Sequence, residues 1–247
     1  MNKSNDIFLT VQNAINTTRD DAIKILMGED ESLKPYAFLN IDYIKSQDEA
    51  DLIIHHLTNH PNPTREACAF VLCSIYNRDF FQSSEILNTL KEGICDINPN
   101  VCRAVIELLS KNPQLAKLIT PLNIKKINEL LEEFKMYEKT FGSHKENKMK
   151  NRKNHAKNKK LFNLYWCLEA LGETMSENEF EDEILKICQN TVNFLDYTIR
   201  EKTAKILTKM TNPPKELLQK LKNDENFYVK NLVYDKICKD SNNRDTL

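Results

Sequence analysis

Three histidines crowd one short stretch, IIHHLTNHP, in which His56 and His60 stand four apart and His55 is adjacent. On a helix, positions i and i+4 project from one face, which is the geometry two zinc-binding imidazoles require. Two features oppose a metal reading. His60 precedes Pro61, which disfavours helical backbone at position 60, and the glutamate of an H-E-x-x-H motif is absent. A surface or capping role is therefore expected, with no metal ligand set. Cysteine is the other candidate for chemistry. Cys68, Cys73, Cys95, Cys102, Cys167, Cys188 and Cys238 form no C-x-x-C pair, and no base or oxyanion site can be read beside any of them. They are expected as reduced thiols filling gaps between helices.

Charge supplies the next candidates. His144 to Lys160 reads HKENKMKNRKNHAKNKK and sets Lys145, Lys148, Lys150, Arg152, Lys153, Lys157, Lys159 and Lys160 against the single acid Glu146. Such a run is an electrostatic footprint for phosphate backbones or acidic surfaces. The whole chain carries a net charge of −1, so the remainder holds about −8 and could attract the run itself. Interleaved aromatics, which stack single-stranded bases, are missing. The acidic counterpart, SENEFEDE from Ser176 to Glu183, reads as a cap: Ser176 at the N-cap and acids in the first turn of a helix. Phe162, Tyr165 and Trp166 lie among Leu161, Leu164, Leu168 and Leu171, a density that predicts burial rather than an exposed anchor.

Whole classes fall away on composition. Only four glycines occur, Gly28, Gly93, Gly142 and Gly172, all far apart, against an average usage of about 7%. No G-x-G-x-x-G and no P-loop can be assembled, which removes most nucleotide and dinucleotide enzymes. No apolar run approaches the roughly 18 residues of a membrane span, and the N-terminus lacks a signal peptide's apolar stretch. Asn16-Thr17-Thr18 matches a glycosylation acceptor by chance alone. The expectation is a soluble cytoplasmic protein without a cofactor.

The elements that must position these residues are helices. Period-3.6 patterning covers most of the chain and sustained alternation is hard to find. Helices are expected over Asp6–Asn16, Arg19–Met27, Pro35–Lys45 and Gln47–Thr58, the last with Ser46 and Glu49 as a capping box. Further helices are expected over Thr64–Tyr76, Ser83–Gly93, Asn100–Lys111, Pro121–Thr140, Leu161–Leu171, Glu177–Asn190, Asp196–Met210, Pro214–Lys222 and Asn226–Lys239.

Four turn-to-helix stretches resemble each other: NPTREACAFVL, NPNVCRAVIELL, DYTIREKTAKIL and NFYVKNLVYDKI. Each places a polar turn residue or proline before one early basic residue, Arg65, Arg103, Arg200 or Lys230. Arg65 and Arg103 are 38 residues apart, Arg103 and Arg200 are 97 apart, and Arg200 and Lys230 are 30 apart. Recurrence on this scale marks stacked helix pairs. A planar guanidinium at that position can bind the turn oxygens and acidic turn residue of an adjacent repeat, so these four residues are expected to form a structural ladder.

The helix-turn-helix units, with Asn or Asp in the turn and Ile199-Arg200 or Val229-Lys230 early in the second helix, resemble the HEAT-repeat family, close to the armadillo repeats. Thr64 and Cys102 depart from that pattern before Arg65 and Arg103. The resemblance covers residues 46–112 and 177–239. It implies an all-α fold, a right-handed alpha-alpha superhelix of about five to seven helix pairs, the alternative architecture being a compact irregular helical bundle. One repeat domain is expected over 1–240, with a lysine-rich inter-repeat loop at 142–160 and a disordered tail at 241–247. It further implies a non-catalytic scaffold that holds a protein partner on the surface of the helical stack; the charge of segment 144–160, not the resemblance, makes Lys145, Lys148, Lys150, Arg152, Lys153, Lys157, Lys159 and Lys160 candidate contacts to nucleic acid or an acidic surface. The alternative is a nucleic-acid-binding relative of the HEAT-like DNA alkylation repair glycosylases. HEAT-like lyases of bilin chromophores are a third, fold-level analogy.

Overall fold

A computed structural model describes residues 12, 16–58, 60–74, 84–141, 150–175 and 180–242. The expected helix at Asp6–Asn16, most of the expected tail, Lys145, Lys148 and Ser176 lie outside the described residues. Among those described there are twelve helices and no strand. They are α1 (Arg19–Met27), α2 (Lys34–Phe38), α3 (Gln47–His55), α4 (Asn62–Ser74), α5 (Ser84–Ile94) and α6 (Pro99–Ser110), followed by α7 (Pro113–Phe141), α8 (Lys150–Thr174), α9 (Glu181–Thr191), α10 (Tyr197–Lys209), α11 (Lys215–Lys222) and α12 (Phe227–Asn242). The chain is an all-α helical-repeat protein, and it divides into two compact units, Met1–Ile119 and Thr120–Leu247.

The first unit has two rows of helices. α1, α3 and α5 pack in sequence on one side, while α2, α4 and α6 pack on the other. Ladder cations belong to the second row. Local chemistry sets the boundaries. Thr18 accepts from the Asp21 N–H, Ser46 from the Glu49 N–H and Asn98 from the Asn100 N–H, each supplying a partner to an otherwise orphan donor. Pro99 sits in the first turn of α6, where its missing N–H costs nothing. Leu26, Phe38, Ile53, Ile54, Leu57, Leu72, Ile86, Leu90, Leu108 and Leu109 are fully buried between the rows. Only half of the expected capping box forms, because the Glu49 carboxylate accepts from the Lys45 N–H at 2.7 Å rather than from that of Ser46, and also from both terminal nitrogens of Arg19 on α1. That joins the first two members of one row.

In the second unit α8, α10 and α12 form a row, with α9 packed on α10 and α11 packed on α10 and α12. Trp166 is buried, edge-on to Tyr165 and Phe162, as the leucine density around it predicted. The buried Thr203 hydroxyl donates to Thr191 at 2.8 Å, tying α10 to α9.

Four expectations need correction, one being the helix expected at Glu177–Asn190 behind a Ser176 cap, which begins at Glu181 with Phe180 at the cap position. The helix expected at Pro121–Thr140 begins at Pro113, and Pro121 lies inside it. Asn112-Pro113 is itself a cap and first-turn pair, with the Asn112 Oδ1 accepting from the Leu115 N–H at 3.1 Å. Burial of Leu115, Ala116 and Ile119 offsets the roughly 3 kcal/mol an internal proline costs. The helix expected at Pro35–Lys45 stops at Phe38, where Asn40, Ile41, Asp42 and Ile44 give a run of poor helix formers. The lysine-rich stretch 142–160, expected as a loop, is helical from Lys150 onward. Lys, Arg and Ala are good helix formers, and no glycine or proline separates them from the apolar segment beyond.

Candidate functional site

The ladder is built on a three-residue turn, Asp-x-Asn, that occurs before α6 (Asp96-Ile97-Asn98) and before α12 (Asp224-Glu225-Asn226). In both, one aspartate oxygen accepts from the backbone N–H of the asparagine two residues on, at 2.7 and 2.8 Å. The asparagine in turn caps the helix that follows, accepting from the Asn100 and Tyr228 N–H groups at 3.0 Å. The aspartate is thereby fixed with its other oxygen toward the preceding repeat, where an arginine meets it. Arg65 donates to Asp96 at 2.6 Å and to Asn62 at 2.7 Å. Arg200 binds Asp224 in a two-point fork at 2.6 and 2.9 Å and donates to the carbonyls of Phe194 and Leu195 at 2.8 and 3.0 Å. All four charged side chains are about nine-tenths buried. Hydrogen bonding from Arg200 holds the Asp224 carboxyl below the ordinary carboxylate range despite that burial.

Arg103 does not take the same place. The N–H groups of Arg65, Arg200 and Lys230 each bond a carbonyl four residues back at the start of the helix, on Pro61, Asp196 and Asn226. In α6 the residue at that position is Cys102, bonded back to Asn98, and its thiol donates to the Asp96 carbonyl. Arg103 is one residue further, about 100° around the helix, and is exposed, donating to Asn100 on its own helix. The Lys230 position is in register.

The cationic run divides in two. Lys150, Arg152 and Lys153 occupy the first turn of α8, and no acid shares that turn. Lys157 and Lys159 are exposed. Lys160 is committed to an ion pair with Glu133 on α7, so part of the run does contact the protein's own acidic side chains. The later half of α8 is tied to α10 by a network that sequence reasoning missed. Glu169 pairs with Lys202 at 3.0 Å and Lys205 at 2.8 Å, while Glu173 pairs with Lys205 at 2.5 Å and Lys209 at 2.8 Å. The Lys202 ammonium also lies 4.5 Å from the Tyr165 ring centroid. Burial pushes the Glu169 carboxyl up, but hydrogen bonds from Lys205 and Lys202 outweigh it and leave the group below its ordinary value. The helical spacing of Glu169/Glu173 and of Lys202/Lys205/Lys209 was the available sign of this network.

His56 is buried, not a surface residue. Its Nδ1 lies 2.7 Å from the Leu52 carbonyl oxygen and its Nε2 lies 3.1 Å from that of Leu26. Neither nitrogen offers a lone pair outward, so it cannot serve as one arm of an imidazole pair for a metal. His60 stacks on it with ring centroids 4.3 Å apart and faces Glu31 through Nδ1 at 3.0 Å. Glu31 also pairs with the buried Lys34 at 2.6 Å. Burial, with the nearby charges of His60 and Lys34, lowers the His56 pKa from its ordinary value. The unfolded chain, titrating near 6.5, therefore takes up a proton more readily than the folded one. Stability is expected to be full above about pH 6.5 and to decline as the pH falls below it. Urea titrations across that range should show this slope in the wild type and a shallower one in His56→Gln.

The thiols are set for packing. Burial raises the Cys102 and Cys188 pKa values to about 12 and moves Cys68 in the same direction, well away from a thiolate at neutral pH. Cys68 donates to the Ile53 carbonyl. Among the described residues no cluster of three His, Cys, Asp or Glu side chains could hold a metal ion, and no helix is long and apolar enough to cross a membrane.

No protein-family model matches the chain, and no curated protein matches it. Among solved structures, it is similar to an engineered protein at 12% identity and a TM-score of 0.47, covering 89% of this chain and 97% of that one. It is also similar to a designed armadillo repeat protein at 11% identity and a TM-score of 0.42, covering 92% of this chain and 97% of the other.

Proposed function

We propose that the chain is a non-catalytic, cytoplasmic scaffold of HEAT type that holds an acidic protein partner through the cationic first half of α8. The observation that carries this reading is the placement of Lys150, Arg152 and Lys153 in a first helical turn that contains no acid. Backbone N–H groups already make that end of a helix positive, so each added cation there is disfavoured by about 0.3–1 kcal/mol. An acidic surface seated against the turn would relieve that repulsion and gain the attraction of exposed Lys157 and Lys159. Helical-repeat proteins present such extended surfaces readily.

Cross-linked pull-downs with the full chain and with a variant carrying Gln at Lys150, Arg152, Lys153, Lys157 and Lys159 test this. Recovery of acidic proteins by the wild type should fall by about tenfold in the variant, equivalent to about 1.4 kcal/mol. Absence of any reproducible partner would sink the reading. Duplex DNA binding that weakens by roughly 0.9 log units per phosphate contact per decade of salt, and that the variant loses, would favour the nucleic-acid alternative.

A further inference from the structure

The ladder has matched members and two unmatched ones. Arg65 meets Asp96 and Arg200 meets Asp224. Lys230 holds the same position in α12, with its N–H bonded to the carbonyl four residues back. Its charge helps depress the nearby Asp224 carboxyl, yet among the described residues the ammonium makes no ion pair or hydrogen bond of its own. The same face of α10 shows what that position is built to meet. One turn beyond Arg200, Ala204 is fully buried. Thirty residues on, the counterpart of Ala204 is Tyr234, which is 45% exposed, beside the Lys222 ammonium at 5.4 Å from its ring. Phe227, at the start of the same stripe, is 66% exposed.

The unmatched acceptor is at the turn before α2. Asp30-Glu31-Ser32 repeats the aspartate half of the two ladder turns, without the cap that Asn98 and Asn226 supply: Asp30 Oδ1 accepts from the Ser32 N–H at 3.0 Å and from its hydroxyl at 2.6 Å. The corresponding bonds at Asp96 and Asp224 are 2.7 and 2.8 Å. There the second oxygen receives an arginine; the Asp30 Oδ2 receives nothing among the described residues, and the side chain is exposed. Glu29 is exposed beside it, and the neighbouring Glu31 is already engaged by Lys34 and His60. Leu39, at the end of α2, is 60% exposed.

We propose that the chain self-associates head to tail, with Lys230 and Tyr234 of one copy docking on the Asp30 turn and Leu39 of the next. The contact repeats between molecules the cation-to-turn pairing that joins repeats within one. It is heterologous, each copy using two different faces. A complementary cation and acid select the orientation, and the exposed Tyr234 and Leu39 supply apolar area. The proposal is independent of the α8 surface and stands whether or not an acidic partner binds there.

Sedimentation velocity on the full chain tests it. The wild type should associate with rising concentration, and less so between about 50 and 500 mM salt as screening shortens. Asp30→Lys and Lys230→Glu should each weaken association at least about tenfold, because each sets like charges face to face. The double variant carrying both reversals should recover it, since opposite charges then face each other again with their signs exchanged. Asp30→Asn and Lys230→Gln should give intermediate losses. Circular dichroism should show that each variant remains helical. A wild type that stays monomeric, single reversals that associate like the wild type, or a folded double reversal that fails to recover would each overturn the proposal.

Discussion

Arg200→Ala is expected to lower the unfolding free energy by about 3–5 kcal/mol, the usual consequence of leaving half of a buried ion pair behind. The same substitution at Arg103 is expected to stay within about 0.5 kcal/mol, as at other exposed sites. The guanidinium of Arg200 makes four hydrogen bonds, two to Asp224 and two to the carbonyls of Phe194 and Leu195. Its removal strands an aspartate that is only 7% exposed, retaining the backbone N–H of Asn226. Arg200→Lys should recover little, because a single ammonium cannot span a carboxylate and two carbonyls as a planar fork does. The pH dependence carries the same signature. Because Asp224 is depressed in the folded state, its contribution is present above an unfolded value near 3.9 and is lost as the pH falls through the lower folded value. Arg200→Ala should flatten that acid limb. Urea titrations of the two arginine variants, at neutral pH and below pH 4, make the comparison. Equal stabilities for Arg200→Ala and Arg103→Ala would remove the ladder as an energetic feature.

That contrast also measures how much could be read from the sequence. The Ser46 cap was legible because it is local chemistry, a side-chain oxygen reaching a free N–H three residues on; Asn98 and Asp196, read only as turn residues, cap in the same way. Repeat units were legible because they are made of those caps and a helical apolar period. Arg103 shows the limit. It looks equivalent to Arg65 and Arg200, but counting from the cap places Cys102 in the ladder position, and one residue of slip turns the side chain to solvent. Pro121 shows another: proline ends helices on average, but Leu115, Ala116 and Ile119 gain more from burial than the proline loses. At the candidate contact surface, charge density marked the residues but not their conformation, because lysine repels lysine without breaking a helix. The pairing of Glu169 and Glu173 with three lysines of α10 depends on which helices become neighbours, and spacing within either helix cannot decide that.

Phe38→Ala should cost about 3–5 kcal/mol, and its effect should be local. α2 is only five residues long and has no side-chain cap, far below the length at which a helix holds itself together in water. Its persistence therefore comes from packing against α1 and α4. Phe38 is fully buried and edge-on to His56, with ring centroids 5.6 Å apart. Without that ring a cavity opens beside a buried imidazole, and the first helix pair loses its largest anchor. Hydrogen exchange should then accelerate most over residues 19–45, while amides of α10 and α11 in the second unit exchange as in the wild type. Water reaching the cavity should also ease the burial that depresses His56, moving its titration back toward about 6.5. Leu39→Ala, one residue away at an exposed position, should change neither readout and stay within about 0.5 kcal/mol. Equal acceleration in both units would show that α2 is not held locally by this ring.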